Sequence, residues 1–461
     1  MKPLLVCASL AIGFALAQEN PPDPRTQQSQ EQSSSTDEPQ PSELSDSGPS
    51  VLGHDKRADK RRSGQLLNFR FYAEITGVYD SGLTPVGPNA PSGAASTADA
   101  GFETGLGLAI DRNWQHDQLS VEYRGHFREY AKDTLFNGTD QFLNLSYSHE
   151  IDRHLAVRLE EIGGTTTLAN GAFAYLPLPT SDLALPTNEL FDNRTDYLES
   201  RASLIWDKTA RLSFDVGGEG FLVRRDSLAL AGLDGYIAHA GAAYRITRRQ
   251  TLSAIYKYTS FDFQRVFGDA ALETAQLGYS VALSRSLNLA IQAGGTHVDA
   301  RGLTQVTIDP SIAAIIGQNV ATVTFSHSIY IPELEAQLVQ RFRRASLRLH
   351  ASDGVSPGNG VYLTSRQSAV AMGYSYTGYR RLTMMANAGY SQLSTIGQNL
   401  GKYTNVAAGA AMTYEIARGT HLEMRYDYRH YTTQSSFSKM NSNRVTLGLA
   451  YSPGETPLSV W

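Results

Sequence analysis

From Leu422 to Tyr431 the chain alternates without a break. Leu422, Met424, Tyr426 and Tyr428 take the even positions, and Glu423, Arg425, Asp427 and Arg429 the odd ones. A period of two is the period of a β-strand with one apolar and one polar face. Such a run, at about ten residues, exceeds the usual strand of about five or six. It matches the roughly 9–11 residues a tilted strand needs to cross a bilayer. Four ionised groups on one face are too costly to turn into a dry core. They are tolerated when that face lines a water-filled lumen and the other meets lipid.

The same unit repeats along the chain. Short turns fall at 111–113, 152–154, 207–209, 248–250, 284–286, 343–345, 379–381 and 417–419, each followed within a few residues by Leu and a fresh alternating run. Between them lie more polar connections at 80–99, 132–138, 163–194, 226–234, 264–270, 301–320, 354–363, 394–402 and 434–442. Short turns alternating with longer loops is the arrangement of a transmembrane barrel, with turns periplasmic and loops outside. Eight turns and nine loops separate about 18 strands, or 16–18 because Pro332 interrupts the long 322–343 segment. The fold class is therefore all-β: a transmembrane, antiparallel, up-and-down β-barrel with both ends on the periplasmic side. A soluble sandwich would break at shorter, Gly/Pro-rich intervals and put its apolar set inside.

Composition narrows the alternatives. Hydrophobic residues make up 41% of the chain, and after the N-terminus no apolar run reaches the length of a helical span. A net charge of −5 with no large Lys/Arg block argues against nucleic acid. Residues 1–17 read as a secretory signal peptide: Lys2, an apolar stretch, then Ala15-Leu16-Ala17 as a small-residue cleavage site. Cys7, the one cysteine, lies within it, so the mature chain carries no disulfide, thiol nucleophile or Cys-based metal site. Residues 18–65, rich in Gln, Ser, Pro, Asp and Glu, read as a disordered polar periplasmic leader, and 66–461 as the outer-membrane barrel. No folded plug domain is expected before the barrel.

Assigning faces by alternation gives a pore lining of Arg70, Glu74, Glu103, Glu122, Arg124, Arg128, Arg158, Glu160, Glu199, Arg201, Arg245, Lys257, Glu335, Arg348, Glu423, Arg425, Asp427, Arg429 and Arg444. Cations and anions are close to balanced, so the lumen is expected to be weakly selective. Two loops are apolar enough to narrow it. The first carries Phe173, Tyr175 and Leu183, and the second Ile312 and Ile315. His149 and His430 fall on the lipid-facing register near strand ends. No nucleophile elbow, zinc-spaced histidines or phosphate loop accompanies them, so the expectation is no enzyme, no metal and no cofactor.

The repeated hairpins Ile110-Asp111-Arg112 and Ile151-Asp152-Arg153, with the signal and the polar leader, resemble bacterial outer-membrane porin-type barrels. Within that group the chain is most similar in style to β-barrel porins associated with exopolysaccharide and exosortase systems. The resemblance implies a Gram-negative outer membrane, with its lipid, its lipopolysaccharide and its barrel assembly machinery as partners. It further implies passage of small hydrophilic solutes or export of a polysaccharide, and a homo-trimer is one assembly open to a barrel of this size. The competing expectation is a structural or surface-binding barrel without an open pore, part of an envelope or exopolysaccharide assembly system. Such barrels usually end on an aromatic residue. Trp461 is terminal here, but Pro453, Gly454 and Pro457 break the alternation before it.

Overall fold

The computed structural model describes residues 66–83, 97–132, 134–167, 191–309, 317–398, 400–433, 440–453 and 456–459. The signal peptide, the leader and all five loop residues singled out above (Phe173, Tyr175, Leu183, Ile312 and Ile315) lie outside them.

The first strands are β1 (Leu66–Leu83), β2 (Thr97–Asn113), β3 (Asp117–Tyr130), β4 (Gly138–Asp152), β5 (Leu155–Thr166) and β6 (Thr195–Asp207). Next come β7 (Leu212–Arg225), β8 (Gly232–Thr247), β9 (Gln250–Gln264), β10 (Gly268–Ala282), β11 (Leu287–Thr307) and β12 (Val320–Arg341). The last are β13 (Ala345–Ser356), β14 (Ser365–Tyr379), β15 (Leu382–Thr395), β16 (Lys402–Ala417), β17 (Thr420–Thr433), β18 (Met440–Tyr451) and the short β19 (Thr456–Ser459). Each of the eighteen long strands pairs antiparallel with the next, and β1 pairs with both β2 and β18, so the sheet closes. Closure removes the free edges that a bilayer would not tolerate.

Ala73 on β1 faces Tyr451, whereas Phe69 faces Thr456, so the register of β19 on β1 differs by one residue from that of β18. β1 is paired on this side down to Leu66 opposite Ser459.

Large apolar side chains alternate outward all round the wall. Ile75, Leu106, Leu145, Leu204, Val216, Leu252, Leu277, Leu334, Val370, Met424 and Leu447 are all exposed. Tyr79, Tyr236, Tyr330, Tyr390 and Tyr426 are exposed toward the loop side, and Tyr244, Tyr379, Tyr414 and Tyr451 toward the turn side. An apolar belt between two aromatic girdles is the surface of a barrel that spans a membrane. The protein is a transmembrane β-barrel of the Gram-negative outer-membrane type.

Two connections differ from the sequence reading. β2 continues through Asp111-Arg112-Asn113, and the turn is 114–116, closed by Trp114 N–H donating to Asp117 O at 2.7 Å. The expected loop after β9 shrinks to 265–267, with Arg265 at φ 70° supplying the reversal. Pro332 does not split its strand, because β12 runs unbroken for 22 residues. Its ladder with β13 ends at Leu334–Asp353. Pro332 therefore sits just past that point, an edge position where a residue without an N–H is tolerated.

Candidate functional site: a bridged lumen

The closed register fixes which side chains share the interior. Opposite exposed Ile75 and Tyr79 on β1 lie Arg70, Tyr72, Glu74 and Asp80. Opposite Phe102 and Leu106 on β2 lies Glu103, and opposite Phe127 on β3 lie Glu122, Arg124, His126 and Arg128. The same alternation turns Arg158, Glu160, Glu199, Arg201, Arg245, Lys257, Glu335, Arg348, Glu423, Arg425, Asp427, Arg429 and Arg444 away from the apolar belt. His149 and His430 are on the belt face. The first meets Asp117 at 2.7 Å and the second Asn441 at 2.5 Å, so neither faces the interior.

The inward charges are not spread evenly. On the β17–β18–β1–β2–β3–β4 wall, near the loop ends of the strands, they form one continuous network. Arg444 Nη2 donates to Glu103 Oε2 at 2.5 Å and reaches Asp80 at 3.5 Å. Arg128 donates to Glu103 Oε1 through Nε at 2.7 Å and to Asp140 through Nη2 at 2.5 Å. The Tyr130 hydroxyl donates to Asp80. Arg128, Arg444, Glu103 and Asp80 are all buried to 2% exposure or less, under a cap formed by Phe136 of the 134–136 helical turn with Val78, Leu83 and Tyr130. Lower on the same wall, Arg70 pairs with Asp111 at 2.8 Å and His126 with Glu74 at 2.9 Å. Arg425 pairs with Asp427 at 2.6 Å.

The opposite wall is built differently. Toward the turn side Arg201 sits among Glu160 at 3.2 Å, Glu219 at 3.0 Å and Glu199, while Asp215 meets His239 at 2.8 Å. Most of these side chains, Glu199 excepted, keep some contact with water. Toward the loop side the interior turns apolar. Phe142, Ile162, Tyr197, Phe221, Val223, Leu233, Phe261, Leu272, Val298 and Ile331, contributed by β4 through β12, are buried together. A wet lumen would leave such residues in water. Leu363 and Ile396, from two loops on the far side, and Ala231 of the β7–β8 connection belong to the same buried cluster.

The connection 357–364, between β13 and β14, turns inward and bridges the lumen. Asn359 shapes it: its Oδ1 accepts from Tyr362 N at 3.0 Å, and its own N–H donates to Tyr362 O at 3.0 Å. Gly358 makes the reversal possible. Its φ is +82°, and a Cβ there would lie 1.6 Å from the Tyr362 carbonyl oxygen. One end of the bridge is held by aromatic contact, with Tyr362 5.7 Å from Tyr403 and Tyr403 6.0 Å from Tyr431, centroid to centroid. Arg429 stands behind this stack, donating to Tyr403 Oη at 3.1 Å and to Asn405 Oδ1 at 3.0 Å. The other end reaches the β7–β8 connection, where Ala231 N donates to Gly360 O at 3.0 Å and Arg225 donates to Ala231 O at 2.6 Å. β7 and β13 are six strands apart, a third of the way round an eighteen-stranded barrel, so this contact spans the interior.

Ranking the loops by length and apolar count, as the sequence invites, passes over 357–364. The available signal is Pro357-Gly358-Asn359-Gly360 followed at once by Val361-Tyr362-Leu363: tight-turn residues that commit a short loop to a fixed shape, with apolar side chains that need a surface. Among the described residues no group of three or more His, Cys, Asp or Glu is placed to hold a metal ion.

No family model matches the chain, and no curated protein matches it. Solved structures of outer-membrane porins do. OccK2 (OpdF) of Pseudomonas aeruginosa, solved in complex with glucuronate, is 11% identical with a TM-score of 0.42, over 83% of this chain and 98% of that one. A BenF-like porin from Pseudomonas fluorescens Pf-5 is 10% identical with a TM-score of 0.45, over 86% and 100%. OccAB4 of Acinetobacter baumannii is 9% identical with a TM-score of 0.41, over 85% and 100%. At such identities the likeness is one of barrel architecture alone.

Proposed function

We propose that the protein is a passive outer-membrane channel for small hydrophilic solutes, narrowed by the 357–364 bridge. The supporting observation is a closed eighteen-stranded wall whose inner face carries charged and polar side chains beside an apolar patch, crossed by the anchored 357–364 loop. Barrels of 16–18 strands are wide enough to leave an aqueous channel unless something fills it. The solute path runs beside the bridge, past Arg425 and Asp427 on one wall and Arg201, Glu160 and Glu219 on the other. Each of these cations sits against at least one carboxylate, and Arg201 against three, so the path carries a modest excess of negative charge and passage is weakly selective, in favour of cations. A polysaccharide is the larger alternative cargo, in keeping with the sequence-level resemblance to exopolysaccharide-associated barrels.

Reconstitution of the purified protein in planar bilayers tests this. The expected result is stable ohmic steps, with liposome swelling by small sugars and none by longer oligosaccharides. Swelling by long oligosaccharides would move the reading to polymer export. Electrical silence would move it to the second reading, a sealed surface-binding or assembly barrel, which one observation favours: the buried apolar cluster on the loop-side part of the β4–β12 wall. The reading also includes residues 1–17 as a signal peptide and 18–65 as a periplasmic leader. Insertion by the barrel assembly machinery, contact with lipopolysaccharide and a homo-trimeric state complete it.

A further inference from the structure

Eight short turns form the periplasmic rim, and their charge is one-sided. Five consecutive turns, from β8–β9 round to β16–β17, carry Arg248, Arg249, Arg285, Arg341, Arg343, Arg344, Arg380, Arg381 and Arg418. All nine are exposed, and 247–250, 283–286, 341–344, 379–381 and 416–419 contain no Asp or Glu, with Glu415 the closest acid. The other three turns are less one-sided: 114–116 has no Arg or Lys, Arg153 follows Asp152, and Lys208 and Arg211 follow Asp207. Every basic residue of the arc is arginine, whose planar fork grips phosphate oxygens two at a time. Strands about 4.8 Å apart put successive turns roughly 10 Å from one another, close to a Debye length, so neighbouring turns reinforce one another's field.

A second feature says what kind of anion fits. Beside the arginines of every one of these turns stands an exposed apolar side chain: Ile246 at 45%, Leu283 at 53%, Phe342 at 52%, Tyr379 at 64% and Ile416 at 49%. Phe342 lies within its turn, directly between Arg341 and Arg343. Arg344 also ties two turns together by donating to Gly378 O at 3.1 Å. A soluble polyanion has no use for that apolar surface. A phospholipid has both parts, acyl chain for the apolar side chains and phosphate for the guanidinium groups above them.

We propose that this arc is a binding surface for anionic phospholipid in the periplasmic leaflet, and that the rest of the rim is not. The test is native mass spectrometry of the full-length folded protein released from mixed micelles of phosphatidylglycerol and phosphatidylethanolamine. Wild type should retain phosphatidylglycerol preferentially. Arg248→Gln, Arg285→Gln, Arg343→Gln, Arg380→Gln and Arg418→Gln together should lower the preference sharply, each lost charge by roughly fivefold. Arg153→Gln, Lys208→Gln and Arg211→Gln, which uncharge the other turns, should leave it intact. The corresponding five Lys variants should keep part of it and secure the comparison should the Gln set fold poorly. Equal retention of both lipids by wild type overturns the proposal, as does equal loss in the two Gln sets. Displacement of the lipid by an equal concentration of soluble polyphosphate overturns the assignment to lipid.

Discussion

Tyr362→Ala isolates the bridge from the barrel that carries it. The ring is 2% exposed, stacked at 5.7 Å on Tyr403, and belongs to a connection held otherwise by the Leu363 contact and the Ala231–Gly360 hydrogen bond. Deleting a buried aromatic side chain costs about 3–5 kcal/mol. The wall ladders do not involve Tyr362, so the loss falls on docking of the loop and leaves barrel stability largely alone. At about 1.4 kcal/mol per tenfold, the docked-to-undocked ratio drops by roughly a hundred- to several-thousand-fold. The assay is single-channel conductance in planar bilayers, with heat-modifiable gel migration to verify folding. The expected result is a larger main conductance, or frequent excursions to a larger one. Tyr362→Phe, which keeps the ring, should behave as wild type. A folded Tyr362→Ala protein with wild-type conductance and open-channel noise would falsify the assignment of 357–364 as the constriction.

Three further outcomes rest on the same geometry. Gly358→Ala places a methyl group 1.6 Å from the Tyr362 carbonyl oxygen at a φ of +82°, so it should mimic Tyr362→Ala in conductance while leaving the circular-dichroism strand signal unchanged. Arg444→Ala strips Glu103 and Asp80 of a buried partner and should destabilise the barrel by about 3–5 kcal/mol, read as a lowered urea midpoint in lipid vesicles. Leu277→Arg puts a cation at the middle of the exposed belt and should cost about 2–4 kcal/mol in the same assay. Arg introduced near the rim at Val281 should cost about 0–1 kcal/mol, and equal losses at the two positions would remove the depth assignment.

Much of the barrel is legible in the sequence. Period-two alternation is a local property: once Leu422, Met424 and Tyr426 share a face, Glu423, Arg425 and Asp427 must share the other. Seven of the eight turns are legible for the same reason, since each hairpin joins neighbours in sequence and its reversal is written in three or four residues; the first lies at 114–116, just past Asp111-Arg112-Asn113. The tail is half legible. Pro453 announces an interruption, but only the pairing of Phe69 with Thr456 shows that the seam resumes beyond it with its register moved by one residue.

What the sequence by itself determined is the wall: its strand number to within two, and which side chain faces lipid and which faces inward. Tertiary structure alone decided what stands inside it. Tyr362 reaches Tyr403, Gly360 reaches Ala231 and Leu363 joins the cluster of Val298 and Phe261 only because the sheet closes and brings distant strands within a lumen's width of one another. The linkage of Asp80, Glu103, Arg128, Asp140 and Arg444 likewise joins the two ends of the chain across the seam. Alternation is set by neighbouring residues, whereas a contact across the interior is set by curvature and closure, which no local pattern encodes.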